Sequence, residues 1–203
     1  MPHRGKVKKM VDSVLTRKNA SLSVKVTVKM LVSLGIVALA VLLPQLVHLV
    51  AGAQSGMRFL PMYLPVLLGG CLLGARFGVC IGVLSPLVSF FLTSATGNAM
   101  PAAARLPFMM AELAVFALVS GLFSRAIVKN AWMAFPAVLL GSVAGRCFFL
   151  LCVAAFQWAS PLTLATVWAQ VQTGFTGLLL QAVLVPVLVM GLHKLLVKDA
   201  NRQ

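Results

Sequence analysis

LPMYLPVLLGGCLLGARFGVCIGVLSP, residues 60–86, is the stretch that decides the fold. It is almost wholly apolar and sets Gly70, Gly74, Gly78 and Gly82 at four-residue intervals. Each neighbouring pair is a G-x-x-x-G step, which on a membrane helix bares a strip of backbone to a neighbour. The apolar run continues to Thr93, too long for one ordinary span of about 20 residues. Arg76 is the only charge between Arg58 and Arg105, so it marks a tight turn between two short spans. The glycines then serve helix packing alone, or they also leave a mobile, close-packed face for a partner or ligand.

The rest of the chain has the same character. Of 203 residues, 61% are hydrophobic, and Asp12, Glu112 and Asp199 are the only acids. A soluble domain of this size could not solvate such a surface. The apolar runs are helix-length, unlike the alternating segments of about ten residues in an outer-membrane barrel. The expected fold is all-α and integral to the membrane, with six transmembrane helices near 30–50, 59–74, 77–93, 107–124, 135–156 and 171–192. These make one membrane domain, 30–192, between basic cytoplasmic tails at 1–29 and 193–203. Val11, Leu15, Leu22 and Val26 give the first tail a weak helical spacing, which suits either a surface helix or a disordered segment.

The net charge of +14 suggests nucleic acid at first sight. Its placement is instead a topology signal. With both ends on one side, fourteen Lys and Arg residues fall on that side and only Arg58 and Arg105 on the other. The positive-inside rule therefore puts both termini in the cytoplasm of a multi-pass cell-membrane protein. The first apolar run continues to about Val50 without an A-x-A cleavage site, so it reads as a retained span. Cys71, Cys80, Cys147 and Cys152 lie in apolar runs without CxxC spacing. They read as small buried hydrophobes rather than disulfide or metal sites.

Glu112 and Arg146 are the only formal charges within spans. A charge inside the bilayer is expensive and functional by default. At 1.5 Å per residue they lie about 8 and 15 Å below the outer surface, close enough to pair if spans four and five are neighbours. The short link carrying Arg125 and Lys129 makes them neighbours. Two readings follow: a structural ion pair that locks two helices, or an outward-facing polar pocket. In such a pocket Arg146 meets a carboxylate and Glu112 an amine or hydroxyl. Gln181 completes the pocket or makes an interhelical hydrogen bond of about 1 kcal/mol. His48, one turn from Gln45, Met62 with Tyr63, and Asn98 are weaker candidates for the rim or lid. No G-x-S-x-G, HExxH or Walker motif is present, so neither an enzyme nor a cofactor is expected.

The pattern LPxxxPVLLxGxxLGxxxGxxxGxxSP over 60–86, followed by ELxxxxLxxGL over 112–122, resembles the substrate-binding S component of energy-coupling-factor (ECF) vitamin transporters. ALAVLLPQLVH and TGFTGLLLQAVLVPVLV fit as well, so the likeness covers roughly 30–195. The resemblance implies six helices, a solute pocket near the outer face, and a partner module of one transmembrane coupling subunit and two ATPases. It also implies a small-residue A-x-x-x-A docking face on span one. This chain departs from that motif: Ser33, Gly35, Ala38 and Ala40 are small, but no two alanines of that span stand four apart.

The first functional expectation is thus an ECF-type importer subunit for a small water-soluble vitamin, with the bilayer as its setting and no nucleic-acid partner. The alternatives are a structural subunit without a small ligand and a stand-alone secondary transporter. Against the last stand the single intramembrane acid and the lack of two similar halves. Arg146→Ala is expected to weaken solute binding more than about tenfold, roughly 1.4 kcal/mol, in an equilibrium binding assay.

Overall fold

The computed structural model describes residues 11, 22–52, 59–95, 97, 100–156 and 164–198. Among them every regular element is helical, and no strand occurs. The α-helices are α1 (Leu22–Ala51), α2 (Tyr63–Leu73), α3 (Ala75–Ser94), α4 (Leu106–Leu122), α5 (Ser124–Lys129), α6 (Ala134–Ala155) and α7 (Leu164–Lys198). Single 3-10 turns at Ala103–Arg105 and Ala131–Met133 lead into α4 and α6. Five helices, α1, α3, α4, α6 and α7, are long and apolar enough to cross a membrane. The remaining apolar segment, α2, has only 11 residues, about 16 Å of helix.

That short helix is the centre of the molecule. A helix that is apolar on every side must be buried on every side, and nine of its eleven residues are buried. It packs against each of the other six helices. Around it α3 lies on α4, α4 on α6 and α6 on α7, while α1 covers α3. Leu67, Leu73, Ile81, Leu113 and Phe116 fill the core between them. The long helices carry their exposed leucines, valines and phenylalanines on the outer surface, where hydrocarbon rather than water is the matching solvent.

The turn between the two short spans is present, but its pivot is Gly74 and not Arg76. Gly74 has φ +82°, a left-handed conformation that suits glycine, and it ends α2 and starts α3 in one residue. Arg76 lies within the first turn of α3. The glycine stripe is internal. A Cβ at Gly82 would stand 2.6 Å from the Leu113 carbonyl oxygen, and one at Gly70 would stand 2.8 Å from that of Ala117. The stripe therefore lets α2 and α3 press onto the backbone of α4; it is not a free face for a partner. On the other side, Gly121 of α4 leaves the room that the Gly74–Ala75 backbone occupies.

Further differences have local causes. The basic link after span four is itself helical, as α5, and His193 of α7 meets its Val128 carbonyl at 3.1 Å. Residues 164–170, expected in a loop, are the first two turns of α7, because the helix runs on past its apolar stretch. Trp168 is therefore on a helix; Trp158 lies outside the described residues. Only Cys71 is fully buried, while Cys80 and Cys147 are exposed, since an apolar thiol on a membrane helix can face lipid as readily as core. On α1, Gly35 and Ala38 are exposed but Ala40 is in the core, so the small residues form no single outward stripe.

The internal stripe makes a stability prediction. Gly82→Ala places a methyl group against immovable backbone and is expected to cost about 1–3 kcal/mol. Gly35, with nothing within 4 Å of an added Cβ, should accept alanine within about 0.5 kcal/mol. Unfolding of the two purified variants in detergent compares them directly.

Candidate functional site

Three side chains from three helices meet at one buried point. Arg146 Nη1 of α6 stands 2.9 Å from Glu112 Oε1 of α4. The Tyr63 hydroxyl, in the first turn of α2, donates to Glu112 Oε2 at 2.7 Å. The Arg146 guanidinium also lies over the Tyr63 ring, 5.1 Å from its centroid, a cation–π contact. Glu112 is 1% exposed and Arg146 8%.

Local sequence explains the meeting. Glu112 and Phe116 are four residues apart and share one face of α4. Gly145 immediately precedes Arg146 on α6, and the Phe116 ring occupies the space that a Cβ at Gly145 would need. The two helices thus come close enough for Arg146 to reach Glu112. Phe116 also packs edge-on against Tyr63, with centroids 5.1 Å apart, which fixes the phenol that caps the carboxylate. Tyr63 sits where it does because α2 begins there, just after Pro61 and the N-capping Met62.

Gln181 of α7 is 1% exposed. Its Nε2 donates to the carbonyls of Phe59 at 3.1 Å and Leu60 at 2.8 Å. The Leu60 carbonyl also accepts the Tyr63 backbone N–H, at 3.0 Å. Gln181 therefore pins the entry to α2 directly ahead of the cluster, around Leu60 with its positive φ of 48°. Several buried polar atoms are left without a hydrogen bond: Glu112 Oε1, Arg146 Nε and Nη2, Gln181 Oε1 and Ser142 Oγ. Such atoms are uncommon in native interiors and each calls for a reason.

Of the sequence-derived candidates, Glu112, Arg146 and Tyr63 form one cluster, and Gln181 joins it through the Leu60 backbone. Met62 is buried in the core beside Tyr63. His48 is half-buried in the last turn of α1 and makes no side-chain hydrogen bond to another described residue. Asn98 lies outside the described residues. Sequence reasoning gave Tyr63 too small a part. It is the only tyrosine of the chain, and a lone phenol in an apolar run needs a partner when buried. Ser142, one turn before Arg146, was missed, as was the hydrogen bond from Arg105 to Gln170, which ties the start of α4 to α7. Met100 is held to the end of α3: Thr93 Oγ1 accepts from Met100 N at 2.7 Å, and Ser89 Oγ donates to the Met100 carbonyl at 3.0 Å.

Burying this ion pair is not a source of stability in itself, since desolvation offsets the attraction. Removing one partner is another matter. Tyr63→Phe deletes a charge-assisted hydrogen bond and should cost about 1.5–3 kcal/mol. Glu112→Ala strands a buried guanidinium and should cost about 3–5 kcal/mol. Denaturant or thermal unfolding in detergent should rank them in that order.

In comparison with known families, residues 29–197 match the family described as ECF transporter, substrate-specific component. Neither the curated proteins nor the solved structures yield a match.

Proposed function

Since the chain belongs to the family of substrate-specific components of ECF transporters, we propose that it binds a small water-soluble vitamin or related micronutrient at an outward-facing pocket in the cell membrane. A separate transmembrane coupling subunit and its ATPases then drive uptake, so this chain carries no catalytic step of its own. In this reading α2 is a short sixth span and both termini are cytoplasmic, which the charge distribution supports. The contacts to solute come from the Tyr63–Glu112–Arg146 cluster and Gln181. Met62, His48 and Asn98 belong to the rim or lid.

One observation carries the proposal. The buried charges among the described residues meet at one point, and the donors there exceed what the fold uses. A pair whose task is only to lock two helices has no use for two further buried N–H groups on Arg146. A buried, unpartnered donor costs about 1–3 kcal/mol, which a bound solute recovers.

A specific observation favours a second reading. The charge of Glu112 is matched within the protein, by the Tyr63 hydroxyl and the Arg146 ion pair, as a helix lock in an assembly subunit without small ligand requires. The two readings separate experimentally. Native mass spectrometry of the chain purified in mild detergent is expected to reveal a stoichiometric, water-soluble adduct. A chain carrying lipid alone, together with recovery of function in the double variant Glu112→Arg/Arg146→Glu, would establish the lock instead.

A further inference from the structure

We propose that the solute carries a carboxylate, and that the free Nε–Nη2 edge of Arg146 holds it in two parallel hydrogen bonds. The inference rests on the importer reading and names the chemistry of its substrate. Arg146 pairs through Nη1 with Glu112 and lies over the Tyr63 ring. These two contacts hold the guanidinium and leave its side-on edge without a hydrogen-bond partner. Nε and Nη2 are both buried and both lack a partner. That edge presents two N–H bonds in one direction, the arrangement that matches the two oxygens of a carboxylate.

Ser142 adds a third donor. It lies four residues before Arg146, on the same face of α6, and its Oγ is likewise buried without a partner. Glu112 accepts the Tyr63 hydroxyl at Oε2 and lies in ionic contact with Arg146 at Oε1, so its charge is already matched within the protein.

Charge points the same way. Arg105 stands seven residues, two helical turns, before Glu112 and so faces the same side of α4. It is half-buried and bonds to the uncharged Gln170. Among the described residues, Arg105, Arg146 and Glu112 together carry a net positive charge of one. A monocarboxylate neutralises it. A cationic solute adds to it, and a phosphate dianion overshoots it.

The test uses the full chain in detergent, exposed to yeast extract as a source of mixed water-soluble metabolites and then desalted. Bound solute is released, identified by mass and treated with a methylating reagent. The expected solute forms a methyl ester, and that ester, offered back, binds at least tenfold more weakly. Arg146→Lys keeps a positive charge opposite Glu112 but loses the two-pronged edge; it should retain the solute at least tenfold less well without loss of folding. Ser142→Ala should weaken retention several-fold. A retained solute that does not esterify, or one whose ester binds equally well, overturns the carboxylate assignment and leaves the importer reading intact. Retention of no solute at all overturns the importer reading, and this proposal with it.

Discussion

The close approach of three helices to the backbone of α4 is the constraint on which the rest of this structure depends. α2 and α3 reach it through Gly70 and Gly82 and α6 through Gly141, while the missing side chain of Gly145 leaves room for the Phe116 ring. Without hydrophobic pressure from water, membrane helices gain from such contact mainly by van der Waals packing, and glycine maximises it. The same approach brings Arg146 within ionic reach of Glu112 and sets Tyr63 over both. Packing and polar chemistry in this bundle are therefore one arrangement. The glycines that look like lubricants in the sequence are the spacers that position the charges.

The burial of α2 follows from the same logic. A helix of 11 residues is short for the hydrocarbon core of a bilayer, yet this one has no polar face to turn outward. Enclosure by the other helices resolves the difficulty. It also places the first residue of α2, Tyr63, inside the protein rather than at a lipid boundary. Gln181 then supports the turn before α2 by bonding two of its carbonyls. In an apolar medium an unpaired carbonyl costs several kcal/mol, and the Leu60 carbonyl is met twice, by Gln181 and by the Tyr63 N–H.

The atoms of the polar cluster are unequally satisfied. Glu112 Oε2 accepts the Tyr63 hydroxyl, and Oε1 is in ionic contact with Arg146 Nη1 without making a hydrogen bond. Arg146 Nε and Nη2 have no partner. A helix lock needs charge balance and geometry, and the Nη1 contact supplies both; the unpaired donors, with Ser142 beside them, are what the importer reading accounts for. The contact of the guanidinium with the Tyr63 ring restricts the long side chain, which lowers the ordering cost of any further contact it makes.

Much of this was written in the one-dimensional pattern. The helix-length apolar runs and three acids in 203 residues determined a helical membrane protein. The isolation of Glu112 and Arg146 in apolar runs marked them as a pair, because a bilayer penalises lone charges wherever the chain puts them. Side-chain spacing along a helix gave the families of residues that share a face, but not which faces meet. Whether the glycine stripe turned inward, whether Tyr63 capped the carboxylate, and which edge of Arg146 was left unpaired depended on contacts between residues 31 to 83 positions apart. Such contacts are set by how helices cross and rotate against one another. No local propensity encodes that, so only the tertiary structure decided it.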